Sequence, residues 1–133
     1  MTLKAFLVED SPVIRENLIE SLHEMAPVEV VGTADTEAAA VAWLDSADNE
    51  CDLVIIDIFL KRGSGLGVLR AMHDPHRTLV VLSNYLTEPM RGKCRDLGAN
   101  AMFDKSNEID DLLAYCARLE DGRAHPDGRT PTP

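Results

Sequence analysis

Short blocks with no polar position recur along this chain: Ala5-Phe6-Leu7-Val8, Leu53-Val54-Ile55-Ile56 and Leu79-Val80-Val81-Leu82. A strand with one face in water alternates apolar and polar residues, and these blocks do not alternate. They suit strands covered on both faces, which means a parallel sheet between two layers of helices. A fourth block, Val28-Glu29-Val30-Val31, is interrupted once, and Ala101-Met102-Phe103 is a weaker fifth.

Between the blocks the apolar spacing turns helical. Ser11 can cap a helix with Pro12 in its first position, placing Ile14, Leu18, Leu22 and Met25 on one face. Thr36 opens the alanine-rich run Ala38 to Ala42, with Trp43 and Leu44 behind it. Leu66, Leu69 and Met72 form a shorter stripe that Pro75 stops. Thr87 caps a helix carrying Met90, Cys94 and Leu97, which Gly98 ends as a left-handed stop. Asn107 with Asp110 resembles a capping box ahead of Ile109, Leu112, Leu113, Cys116 and Leu119. Strand and helix therefore alternate five times, which predicts a doubly wound α/β sandwich with right-handed crossovers. Residues 1–120 make the domain, and 121–133, without apolar spacing, read as a disordered tail.

The chain's 133 residues suffice for one domain, and 45% apolar types supply one core without disulfides or metal. Thirteen Lys and Arg against 23 Asp and Glu give a formal charge of −10, which repels a phosphate backbone and argues against direct nucleic-acid binding. No apolar run is long enough to span a membrane, and no signal-peptide core follows Met1. Cys51, Cys94 and Cys116 are odd in number and form no Cys-x-x-Cys pair, so free thiols in the cytoplasm are expected.

The polar residues that follow the blocks carry the functional signal. In a parallel sheet, ligands bind outside the carboxyl ends of the strands. Val8 is followed by Glu9 and Asp10, Ile56 by Asp57, Leu82 by Ser83, and the fifth block by Asp104 and Lys105. Each alone has a plain explanation as a turn former, a cap or a solvated charge. Glu9, Asp10 and Asp57 with Ser83 and Lys105 would bring three carboxylates, a hydroxyl and an ammonium to one rim. Close carboxylates repel by a few kcal/mol per pair at an effective dielectric near 20. Such a set suits a hard cation, Mg²⁺ with Mn²⁺ as a substitute. A carboxylate beside that ion can accept a phosphoryl group, with Lys105 and Ser83 steadying its oxygens.

Over residues 3–120 the sequence resembles a response-regulator receiver domain of the single-domain type. The resemblance rests on Phe6-Leu7-Val8-Glu9-Asp10-Ser11, Val54-Ile55-Ile56-Asp57, Gly63-Ser64-Gly65-Leu66, Val81-Leu82-Ser83-Asn84, Gly98-Ala99-Asn100 and Asp104-Lys105. It implies a flavodoxin-like sheet of strand order 2-1-3-4-5 with five helices on its two faces. It further implies that Asp57 takes a phosphoryl group from a sensor histidine kinase or a histidine phosphotransfer protein. Glu9 (through water), Asp10, Asp57 and the Phe59 carbonyl would hold the metal. Ser83 would be the switch hydroxyl and Lys105 the ion partner of the phosphate. Val13 and Arg15, beside the first helix's core stripe, are candidates for kinase docking. The signal would leave by protein contact across the fourth helix, fifth strand and fifth helix, toward a downstream target or a second copy of the chain. No turnover activity and no output domain are expected.

Departures from the family pattern are specific. The acid pair is Glu-Asp where many relatives have Asp-Asp. Met102 stands at the switching aromatic position, and Phe103 points to the other face of its strand. Met102 or Tyr85 is therefore expected to repack when Ser83 is drawn to a phosphoryl group. Ser106 replaces a common cis-Pro; a cis bond ahead of a non-proline costs about 2.5–4 kcal/mol, so the Lys105–Ser106 bond is expected to be trans. Asn84 and Tyr85 are bulky and would shield the phosphate. The stretch Gly63-Ser-Gly65-Leu-Gly67 looks superficially like a dinucleotide loop, but lacks the third-glycine spacing and follows the wrong block. The remaining rivals are a degenerate receiver used for docking or dimerisation, and an N-terminal piece of a larger regulator.

Overall fold

A computed structural model describes residues 2–72, 76–84 and 86–124, with side chains to residue 120. The elements alternate as the spacing predicts: β1 (Leu3–Val8), α1 (Pro12–Met25), β2 (Val28–Ala34), α2 (Glu37–Asp45), β3 (Leu53–Ile56), α3 (Gly65–Ala71), β4 (Thr78–Ser83), α4 (Glu88–Asp96), β5 (Ala101–Asp104) and α5 (Ile109–Ala124). All neighbouring strands pair in parallel, in the order β2-β1-β3-β4-β5. The order explains the quality of the blocks. β3, fully apolar, is buried at every residue in the centre, whereas the interrupted β2 and the weak β5 are the two edges.

Strand alternation divides the core into two layers. Leu7, Ile55, Val80 and Leu82 point toward Leu18 and Leu22 of α1 and Leu112 and Cys116 of α5. Phe6, Val54, Ile56 and Val81 point toward Ala40 and Leu44 of α2, Val68 and Leu69 of α3, and Cys94 of α4. Burial raises the Cys94 thiol pKa and pushes that of Cys116 up to about 12, consistent with their reading as core fillers. Trp43 stacks on Phe6, with ring centroids 4.1 Å apart. Gly32 leaves room for it, since a Cβ there would stand 2.8 Å from the indole.

Local signals set most boundaries. Ser11, Thr36 and Thr87 accept hydrogen bonds from the N–H groups of Ile14, Ala39 and Met90, as N-caps do. Gly98 takes φ +101° after α4. Three expectations need correction. The α1 stripe is buried at Leu18 and Leu22, but Ile14 and Met25 at its ends are exposed. Asn107 does not open α5, which begins at Ile109. There Asp104 accepts from both the N–H and the hydroxyl of Ser106, forming a turn that delays the helix. Finally, α5 runs on to Ala124, beyond the expected domain end at residue 120. Pro75, Tyr85 and the rest of the expected tail lie outside the described residues.

Candidate functional site

The rim at the carboxyl end of the sheet is built by extending the ladder one step past each strand. The Glu9 N–H donates to Ala34 O, the Asp57 N–H to Val8 O and the Lys105 N–H to Ser83 O. Each polar residue is thus anchored through its backbone while its side chain enters the crevice. Glu9, Asp57 and Ser83 are buried, at 1%, 6% and 0% exposure. The crevice, about 360 Å³, is lined by these three with Asp10, Ser11, Ile14, Phe59, Asn84 and Lys105.

Its electrostatics centre on one ammonium. Lys105 Nζ lies 2.5 Å from Glu9 Oε1 and 2.9 Å from Asp57 Oδ2. Burial alone would lower the Lys105 pKa, but hydrogen bonds and charge from Glu9 and Asp57 outweigh it, and the pKa is raised. The second oxygen of each acid is held by main chain: Asp57 Oδ1 accepts from the Phe59 N–H at 3.1 Å, and Glu9 Oε2 from the Ser11 N–H at 3.0 Å. Asp10 Oδ2 accepts from the Lys61 N–H at 2.6 Å, tying the β3–α3 loop across the crevice.

One ligand oxygen from each of Glu9, Asp10 and Asp57 lies within 4.8 Å of the others. Three carboxylates against one ammonium leave a formal excess of two negative charges. That all-oxygen, doubly negative set fits a small divalent cation, and Mg²⁺ in particular, which keeps waters and few carboxylates. Ser83 Oγ is buried without a hydrogen-bond partner among the described residues. A buried orphan hydroxyl costs about 1–3 kcal/mol, so a ligand oxygen at this rim would relieve it.

The structure therefore gathers Glu9, Asp10, Asp57, Phe59, Ser83 and Lys105 at one place. Met102 is not on the crevice: it packs into the α2–α4 layer, while Phe103 faces the other layer and meets Tyr115 edge-on at 5.6 Å. The alternation expected for β5 holds. The Lys105–Ser106 bond is trans. Val13 is 69% exposed beside the rim, but Arg15 is partly engaged, donating to the Glu9 carbonyl at 3.1 Å. Two supports had no signal in residue spacing: the backbone donor of Lys61 to Asp10, and the contact of Glu37 with the β3–α3 loop.

A doubly wound sheet with an acidic crevice at its carboxyl edge defines a flavodoxin-like α/β domain. The chain belongs to the response regulator receiver domain family, whose model matches residues 5–117. It is 32% identical over 88 residues to a protein-glutamate methylesterase/protein-glutamine glutaminase of Chromobacterium violaceum, covering 66% of this chain and 24% of that one. It is 24% identical over 111 residues to the transcriptional regulatory protein YdfI of Bacillus subtilis, covering 83% and 51%. The chain thus spans about a quarter to a half of the length of these curated relatives. The phosphorylated cyanobacterial phytochrome response regulator RcpA superposes with a TM-score of 0.75 at 27% identity, over 99% of this chain and 100% of that one. Among the described residues no helix is long and apolar enough to cross a membrane.

Proposed function

We propose that this domain is a phosphoacceptor signalling module, phosphorylated on Asp57 in the cytoplasm by a histidine kinase or a histidine phosphotransfer protein. The observation that carries the reading is the Lys105 ammonium shared between buried Glu9 and Asp57, at the mouth of a crevice that also holds Asp10 and the partnerless Ser83 hydroxyl. Glu9 (through water), Asp10, Asp57 and the Phe59 carbonyl would hold Mg²⁺. When bound, the ion supplies charge neutralisation on the transferring oxygens.

The chain's own residues do the rest. The Phe59 N–H fixes Asp57 Oδ1, leaving Oδ2, now on Lys105, as the oxygen that can attack phosphorus. A new P–O bond forms as the donor's P–N bond breaks, and the departing imidazole keeps the electron pair and takes a proton. The Lys105 ammonium then pairs with the phosphoryl oxygens, and Ser83 Oγ donates to one of them. Drawing Ser83 inward shifts the end of β4. Met102 and Tyr85 are the side chains proposed to repack in response. The change would be read on the α4–β5–α5 face by a downstream protein or a second copy.

Intact-mass measurement after incubation with Mg²⁺ and acetyl phosphate tests the reading. A phosphoryl adduct on the wild type that is lost in Asp57→Asn supports it. An adduct in neither protein, or in the variant as well, contradicts it and favours a degenerate receiver used for docking.

A further inference from the structure

In the stretch Gly63-Ser-Gly65-Leu-Gly67 the glycines are all in tight places. A Cβ on Gly65 would overlap the Asp57 carbonyl, so Gly65 lets α3 start directly against the end of β3. A Cβ on Gly63 or on Gly67 would overlap the side chain of Glu37, the first residue of α2. Gly63 also sits at φ +82°, where side chains are strained. Gly63 and Gly67 thus form a seat for one carboxylate from a neighbouring helix.

Glu37 uses the seat in both directions. Its Oε1 accepts from the Ser64 N–H at 2.8 Å, and its own N–H donates to the Arg62 carbonyl at 3.2 Å. Ser64 is in turn the N-cap of α3, its Oγ accepting from the Leu66 N–H and donating to the Ile58 carbonyl. The near end of the same loop is held by Asp57 on the Phe59 N–H and by Asp10 on the Lys61 N–H. Those two ties belong to the acids that face the crevice, so an incoming cation competes for them. Glu37 holds the loop from outside the crevice.

We propose that Glu37 is a positioning residue for the acidic site: by clamping residues 62–64 it sets the loop that presents the Phe59 backbone beside Asp57. This rests on the Mg²⁺ reading above. A side chain that supports a ligand from the second layer affects ion affinity, whereas a purely structural clamp affects stability alone.

The test is calorimetric titration of Mg²⁺ into the full chain, with thermal unfolding in chelator as the control for folding. Glu37→Ala is expected to bind Mg²⁺ about tenfold more weakly, the low end of what loss of a second-layer support costs. Glu37→Gln, which keeps an acceptor for the Ser64 N–H, is expected to stay within about threefold of wild type. Gly67→Ala, which displaces the Glu37 carboxylate, should follow Glu37→Ala and decides the matter if that variant does not fold. Wild-type affinity in Glu37→Ala or, failing that, in Gly67→Ala overturns the role of Glu37 and leaves the site intact. A wild type that binds no Mg²⁺ overturns the metal reading and this proposal together.

Discussion

β3 begins and ends beside an aspartate, and the two do different work. At the amino end, Asp52 is spent on stitching strands: its N–H donates to the Lys4 carbonyl, its Oδ2 accepts from the Lys4 N–H, and its carbonyl accepts from the Thr78 N–H. At the carboxyl end, Asp57 is 6% exposed, one oxygen on the Phe59 N–H and the other on an ammonium it shares with Glu9. Residue type is the same and the strand is the same. The difference lies in the setting: Asp52 is tied to the main chain of both neighbouring strands, while Asp57 shares a buried ammonium with a second carboxylate.

The contrast can be broken at its reactive end first. Asp57→Asn is expected to remove the phosphoryl adduct entirely, whereas Asp52→Asn keeps it; the pair is compared by intact mass. Next in size is Lys105→Ala, which leaves two buried carboxylates without their cation. Breaking a buried pair costs roughly 3–5 kcal/mol, measurable by denaturant unfolding at neutral pH. Its pH dependence has a definite sign. The Lys105 pKa is raised above the ordinary 10.5, so the stabilisation is fully present below that pH and fades as pH climbs through the higher folded value. The gap between wild type and Lys105→Ala should therefore be level around neutrality and close in strong alkali.

Smaller effects sharpen the same comparison. Asp52→Ala loses the oxygen that accepts from the Lys4 N–H and should cost at least about 1 kcal/mol, with phosphorylation unchanged. Ser83→Ala should be neutral or slightly stabilising in the unmodified protein, because it deletes a buried hydroxyl that has no partner. A clear loss of stability in Ser83→Ala would mean that the hydroxyl is already satisfied. The account of the rim as a site awaiting a ligand oxygen would then fail.

How much of this was legible in the residues follows from what each feature depends on. Central strands could be read because burial on both faces forces apolar residues at every position, as in Leu53-Val54-Ile55-Ile56. The edges β2 and β5 were fainter because most of their residues are only partly buried. The acidic rim was readable because strand ends in a parallel sheet share one side, so the residues after each block had to converge. Glu37 was opaque: its partners are a backbone N–H and the missing side chains of Gly63 and Gly67, none of which leaves a pattern along the chain. The start of α5 was misplaced for a similar reason. A turn made by Asp104 and Ser106 competes locally with a cap at Asn107, and only the assembled strand decides between them.

The central claim is that surroundings single out one aspartate of β3 for chemistry. Its most direct test is localisation of the modification: treat the protein with Mg²⁺ and acetyl phosphate, trap any acyl phosphate with borohydride, and fragment the peptide that spans residues 51–61. Conversion confined to Asp57, with Asp52 untouched, is the predicted result. Conversion at Asp52, or label only outside this peptide, would contradict it.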